Sequence, residues 1–529
     1  MSNKLDRRSF LNRTISSALL SGACAQAWAA PASSGASSPV VETTAGKIRG
    51  TIEDKVAAFR GVPYAASTAG SARFMPPEKP QHWTGVKDCL ELGHRAPQAA
   101  SGLIPEVAAV DANEPAGEDC LVLNVWTPSA TPGHKRPVMV WLHGGGFTSG
   151  SGGFKIYDGV NLAGKHDVVV ITVNHRLNAF GYLYLADLGG AKYANSSNVG
   201  MLDIVAALQW VRDNVSNFGG DPANVTIFGQ SGGGAKVSTL LAMPSAKGLF
   251  HRAVIESGVS LRGIPRDPAT KNAEAFLAKV GLKPNQVDQL QTMPADRIVQ
   301  ALGGGRFGAV VDGKTLPANP FDPTAPEISA HVPLLVGTTQ TEVTFFAGQQ
   351  LDPIDEAALR DRVKQTFHAG DADADKIIAA YKQVNPGISE IDIALESASD
   401  SFAWMNAITA AERKAALGQA PAYMYYFKWR SPVRDGKLKA MHCMEIPFVF
   451  DNPDAGKPMT GSGEDRYALA SRISGAWVAF ARSGNPSQKG LAWPAYDTSR
   501  RATMILDNKC EVVDNPRKEV RFALATLPA

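Results

Sequence analysis

The sequence predicts an α/β fold, a large and mostly parallel central sheet flanked by helices, with a helical lid or side lobe. Three observations predict it: short apolar runs rich in Val and Ile recur along the chain, segments of helical periodicity lie between them, and one long stretch is helical throughout. The runs are Val138-Met139-Val140-Trp141-Leu142, Val168-Val169-Val170-Ile171-Thr172-Val173, Val225-Thr226-Ile227-Phe228, Val332-Pro333-Leu334-Leu335-Val336 and Ala422-Tyr423-Met424-Tyr425-Tyr426-Phe427. Continuous apolar runs suit strands buried on both faces, and sheets of such strands place their chemistry in the loops leaving the carboxyl ends.

Between the second and third runs, Met201 to Phe218 carries Leu202, Val205, Leu208, Val211 and Val215 at three- and four-residue steps, the apolar stripe of an amphipathic helix. Gly219 and Gly220 can end that helix in the left-handed region, and Asp221-Pro222 favours a turn. From Asp352 to Leu417 the composition shifts to Ala, Asp, Glu and Lys with a helical pattern, which is the predicted lobe. With 44% hydrophobic and 19% charged residues, and no repeat or low-complexity tract, the chain can bury a sizeable core. Residues 30–529 therefore read as one domain.

Residues 1–29 read separately. Asp6-Arg7-Arg8-Ser9-Phe10-Leu11 precedes an apolar run ending in Ala27-Trp28-Ala29, the pattern of a twin-arginine signal peptide with a small-residue cleavage site. Export to the periplasm or beyond is the expectation. Ser21-Gly22-Ala23-Cys24 lacks the leucine that a lipid-bearing cysteine usually has three residues before it, so no lipid anchor is expected. The formal charge of +3 resides in this segment, where Lys4, Arg7, Arg8 and Arg13 outweigh Asp6. The remainder is near neutral and has no basic cluster, which argues against nucleic acid or an anionic membrane as a partner. No other apolar run approaches the ~20 residues that span a bilayer.

Four cysteines follow the signal: Cys89, Cys120, Cys443 and Cys510. Their spacing has no CxxC pair, so no zinc site is expected; one or two disulfides are compatible with the number, and the spacing assigns no pairing.

The chemistry concentrates in two glycine-rich segments. Gly229-Gln230-Ser231-Gly232-Gly233 follows the Val225–Phe228 run and precedes a helix-like stretch from Ala235 to Ala242. A serine on such a strand-to-helix turn is held in a sharp backbone geometry that exposes Oγ, and small neighbours permit the turn. His143-Gly144-Gly145-Gly146-Phe147 follows another strand, and its bare amides can face a developing oxyanion. Gly145, Gly146 and Gly232 are the candidate donors. No lysine-serine or lysine-threonine ending follows the run, so it is not a nucleotide-phosphate loop.

A base and an acid must follow the serine in chain order. His251, His331, His368 and His442 do so. His251 begins a strand, His331 lies at the wrong end of one and His368 sits in a helix, which leaves His442 in a loop beyond Ala422–Phe427. In the loop after Val332–Val336, Glu342 is the carboxylate nearest the strand end, although Thr339-x-x-Glu342 also matches a capping box, and Asp352 stands in reserve.

With these motifs, the chain resembles the type-B carboxylesterase, cholinesterase-like family of α/β-hydrolases, in its bacterial para-nitrobenzyl-esterase-like branch, from about Val40 to Tyr496. Matching segments are Phe59-Arg60-Gly61-Val62-Pro63-Tyr64-Ala65, Glu118-Asp119-Cys120-Leu121, Phe218-Gly219-Gly220-Asp221-Pro222, Glu445-Ile446-Pro447-Phe448 and Phe480-Ala481-Arg482-Ser483-Gly484-Asn485-Pro486. The resemblance implies a Ser231-Glu342-His442 triad and a supporting hydrogen bond from Ser257. It also implies hydrolysis of small-molecule esters without cofactor or metal. The departures are Gln230 and Gly232, where the family usually has glutamate and alanine, and Val343, where it has glycine. Gln230 removes a negative charge beside the histidine and so disfavours cationic esters. The family's disulfide partner for Cys120 falls on Ala96, and Cys89 could replace it only with a shifted loop. An adhesion module lacking catalysis, or an amidase, carbamate hydrolase or peptidase with the same triad, are the rival classes; the first is disfavoured because serine and histidine both stand in motif. Acyl and alcohol pockets are expected around Ser101–Glu114, Gly150–Tyr157 and the helical lobe. The oligomeric state is not indicated.

Overall fold

In the computed structural model the described residues are 38–100, 102–346 and 351–526. The signal peptide and Cys24 lie outside them. The strands are β1 (Val40–Thr43), β2 (Gly46–Arg49), β3 (Thr51–Glu53), β4 (Val56–Pro63), β5 (Val86–Asp88), β6 (Val122–Thr127), β7 (Arg136–Leu142), β8 (Val169–Val173), β9 (Gly220–Gln230), β10 (Arg252–Glu256), β11 (Leu334–Thr339), β12 (Ala422–Phe427), β13 (Ala502–Leu506) and β14 (Glu511–Asp514). One sheet runs β14-β13-β12-β11-β10-β9-β7-β8-β6-β4-β3, and β1-β2-β5 form a small second sheet. The strands from β8 through β13 pair in parallel, and antiparallel pairs finish both edges.

The large sheet separates two cores, and the side chains of β7 show how. Val138, Val140 and Leu142 enter one core; Met139 and Trp141 enter the other. Both faces of the strand are buried, as its unbroken apolar run requires, and each fully buried branched side chain contributes roughly 1.5–3 kcal/mol.

Helix α1 (Val199–Asn214) continues as a 3-10 turn to Phe218, and Gly219 ends it at φ +76°. Asp221 then accepts from the Ala223 amide at 2.9 Å, the expected turn, which is absorbed into β9 as an irregularity in its pairing with β7. Helix α2 (Gly232–Leu241) starts directly after Ser231.

The 352–417 region divides into two parts. Helices α3 (Glu356–Phe367), α4 (Asp371–Val384) and α5 (Glu390–Ser399) form a small core of their own around Leu359, Ile377, Tyr381 and Ile393. After a π-helical turn, α6 (Met405–Ala416) instead lays Ala407, Ala410 and Ala411 into the main core against β11 and β12. Its small residues let it lie close on the sheet. After α7 (Asp465–Ser483), the carboxyl-terminal α8 (Lys518–Ala525) completes the lobe core with Val520 and Leu524, a contribution from far along the chain that local composition does not signal. Arg517, before α8, pairs with Glu396 at 3.0 Å and Asp400 at 2.7 Å in the interior and ties the lobe to Tyr426 of β12.

The pairing that the sequence left open is answered at Cys89 and Cys120: both are free and buried. Burial pushes the Cys89 thiol up to about 11. Cys443 and Cys510 are also free.

Candidate active site

The chain reverses direction in the sheet after β7, sending β8 to one side and β9 to the other. The loops after β7 and β9 therefore leave the same edge side by side, at the crevice where open α/β sheets bind ligands. Ser231 stands there as the residue between β9 and α2, with φ +58° and ψ −124°, and its amide is anchored to Glu256 O at 2.8 Å. Its neighbours make the turn possible. A Cβ at Gly229 would lie 2.7 Å from both Leu142 O and the Gly233 carbonyl carbon, and one at Gly233 would overlap Leu142 O. Only glycine lets the elbow press this closely on the end of β7.

The glycine loop sits against the other side of the serine. Gly145 and Gly146 have φ +87° and +62°. The amides of Gly145, Gly146 and Gly232 donate to no protein acceptor among the described residues, which leaves them available to a bound oxygen. Gly232 packs on Gly146 so closely that a Cβ there would overlap Gly146 O. The alanine usual in the family does not fit beside the loop as it stands.

Glu342 is completely buried at the start of a 3-10 turn after β11. One carboxylate oxygen accepts from the Thr339 amide at 2.8 Å and the other contacts His442 Nδ1 at 2.5 Å. The capping contact and the histidine contact thus coexist, one on each oxygen. Asp352 instead pairs with Lys437 on the surface. The loop of His442 is held to that of Glu342 by a backbone bond from Thr341 N to Ala440 O at 3.0 Å. His442 is buried, with the rings of Phe345, Phe346 and Phe402 within 6.2 Å. The Gln230 amide nitrogen is 3.2 Å from both imidazole nitrogens. In the ring plane that position would collide with Cε1, so the amide lies over the ring face and leaves the Nε2 lone pair free. No hydrogen bond joins Ser231 Oγ to the imidazole among the described residues; such contacts tighten when substrate binds.

Ser231, His442, Gln230 and the three loop glycines line one cavity of about 550 Å³. Its walls include Leu103, Val107, Phe154 and Tyr157 from the two expected loops. They also include Leu302, Gly303, Gly305 and Phe307, from a segment that the sequence did not single out because it has neither periodicity nor a motif. Arg95, at the rim, is paired with Asp111 at 3.1 Å.

Ser257 donates to Glu445 Oε1 at 3.3 Å, so it reaches a second buried carboxyl rather than the Glu342–His442 pair. Glu256 lies alongside, accepting from Trp477 Nε1 at 2.7 Å. Each of these two glutamates keeps one oxygen without a partner. Burial pushes Glu256 up to about 8; burial, then the charges of Glu256 and Glu342, pushes Glu445 well above the usual range. Sequence reasoning missed this pair, although Glu256 directly precedes Ser257 and Glu445 opens the Glu445-Ile446-Pro447-Phe448 segment three residues after His442.

A serine elbow beside a glycine loop, on a sheet of this topology, defines a serine hydrolase of the α/β-hydrolase fold. The carboxylesterase family model matches residues 37–524, and the chain belongs to that family. It is a serine-type hydrolase of carboxylic esters. It is similar to the para-nitrobenzyl esterase of Bacillus subtilis, 37% identical over 498 residues with 92% of this chain and 98% of that protein covered. It is also similar to the phenmedipham hydrolase of Pseudarthrobacter oxydans, at 33% identity with 92% and 99% covered. The solved carboxylesterase of Geobacillus stearothermophilus superposes with a TM-score of 0.80 at 36% identity, covering 92% of this chain and 99% of that one.

Proposed function

We propose that Ser231, His442 and Glu342 act as a triad that hydrolyses uncharged carboxylic esters through an acyl-enzyme. The 2.5 Å contact between Glu342 and His442 Nδ1, at the wall of the cavity that holds the Ser231 elbow, carries this reading. A carboxylate on Nδ1 fixes the tautomer in which Nε2 is the base. Ser231 Oγ attacks the ester carbonyl carbon and His442 Nε2 takes its proton. The carbonyl oxygen becomes an oxyanion held by the amides of Gly145, Gly146 and Gly232. The intermediate collapses, the imidazolium protonates the departing alkoxide, and water repeats the steps to release the acid.

The cavity supports neutral substrates, since its lining is mostly apolar and aromatic and Gln230 occupies the place of a carboxylate. A relative named para-nitrobenzyl esterase fits a site with Phe345 and Phe346 beside the histidine that protonates the alcohol. Export through the twin-arginine route is part of the same reading, supported by Arg7-Arg8 and Ala27-Trp28-Ala29. Active enzyme retained uncleaved in the cytoplasm would contradict it. For the mechanism, Ser231→Ala should abolish both ester turnover and covalent labelling by an organophosphate, and a folded variant that keeps both sinks the triad.

A further inference from the structure

Lys236 lies in α2, five residues after Ser231, and is wholly buried. Its ammonium donates to His143 O at 3.0 Å and stands 5.6 Å from the centroid of the Phe147 ring. His143 and Phe147 are the residues on either side of the Gly144–Gly146 run. The side chain therefore touches both ends of the glycine loop that lines the cavity.

A buried ammonium normally has a carboxylate partner, because an unpaired charge in the interior is costly. Lys236 has none among the described residues. The ionisable groups that face it are His143, at the end of β7, and His175, after β8, stacked at 4.9 Å. Both are held well below the usual histidine range, first by burial and then by the Lys236 charge, so both are neutral. Arg176 beyond them is neutralised by Asp203 at 2.6 Å. Phe147 offers only its ring. Among the described residues no negative group compensates the ammonium, and burial lowers it to about 7. One negative charge does arise nearby during the proposed reaction, on the substrate oxygen.

We infer that Lys236 serves the oxyanion hole, its ammonium fixing both ends of the glycine loop and its uncompensated charge stabilising the tetrahedral intermediate. The inference rests on Ser231 as nucleophile and on the glycine amides as oxyanion donors. Lys236 does not touch substrate, so it is a positioning residue, and its effect belongs in kcat rather than KM.

Two variants separate its two roles. Lys236→Met removes the bond and the charge; Lys236→Gln keeps a donor for His143 O and removes only the charge. Each is titrated with an organophosphate to count competent sites. Then kcat, KM and the affinity of a trifluoromethyl ketone, which forms a tetrahedral adduct, are measured from pH 6 to 9. Both variants should lose about 10- to 100-fold in kcat and in inhibitor affinity with little change in KM, somewhat less than the loss of a direct oxyanion donor. The ratio of unmutated to Gln-variant kcat should shrink as pH rises and the native ammonium loses its proton. Wild-type kcat in Lys236→Gln overturns the electrostatic role, as does a ratio that is constant with pH. Wild-type kcat in both, or failure of both to fold, overturns the inference altogether. Variants that label fully yet turn over normally defeat Lys236 alone, whereas a Ser231→Ala protein that still labels defeats the nucleophile beneath it.

Discussion

On the Ser231 side of the cavity, backbone presses on backbone; on the His442 side, charged and polar side chains hold one another. Gly229, Gly232 and Gly233 pack against Leu142 and Gly146 with no room for a methyl group. Glu342 and His442 are placed by a carboxylate that bonds a backbone amide and a ring nitrogen at once, with two further glutamates buried behind them. The first half is rigid because atoms cannot overlap. The second half depends on protonation states, and so on pH. Substitutions should therefore fail differently on the two sides.

The largest effect is expected on the charged side. Glu342→Gln can still bond Thr339 but no longer stabilises an imidazolium and can present its amide to Nδ1, selecting the wrong tautomer. We expect kcat to fall by about 10³–10⁴ with the fold intact, measured against organophosphate-titrated sites. A loss under tenfold would mean that the contact orients nothing.

On the backbone side, Gly232→Ala introduces a Cβ where Gly146 O now sits. The loop must retreat and its amides with it, so kcat should drop by about 10²-fold, the scale of one oxyanion donor, with KM nearly unchanged. Wild-type kcat would show that this loop moves as freely as a side chain, and the contrast between the halves would collapse.

Gln230→Glu tests the border between them, because the residue belongs to the elbow but its amide covers the imidazole. A carboxylate there favours the imidazolium. The acid limb of kcat/KM should move to higher pH by about half a unit to one unit. A limb that moves down, or stays, would show that the new carboxyl is itself protonated.

The same contrast explains what could be read in advance. Backbone-built parts write themselves into sequence, because close approach admits only glycine: Gly229-Gln230-Ser231-Gly232-Gly233 and Gly144-Gly145-Gly146 announce their geometry, and the strands announce themselves by unbroken apolar runs. His442 follows by elimination, and Glu342 by its place just after the strand, a reading that the family resemblance strengthens against the capping box. Glu256, Glu445 and Lys236 were not anticipated, since nothing local tells a buried charge from a surface one; burial is conferred by elements hundreds of residues away, as when Trp477 of α7 covers Glu256. The lobe was legible as helical, but α8 completing its core and α6 leaving it for the sheet follow from tertiary packing.

The smallest effect concerns stability and probes the charged side from behind. Glu256 has its carboxyl pushed up to about 8 from an ordinary 4.5, so the folded protein keeps a proton that the unfolded chain has lost once pH exceeds 4.5. A native state that binds more protons than the unfolded state loses stability as pH rises. The penalty therefore grows between about pH 4.5 and 8 and is constant above that range. Glu256→Gln has no proton to lose and can still accept from Trp477, so its melting temperature should gain on the unmutated protein by roughly 2–4 °C between pH 5 and 8 and then level off. Its kcat should change little, because Glu256 contacts neither substrate nor the imidazole. A melting-temperature difference that shrinks with rising pH would mean that Glu256 is ionised in the native state.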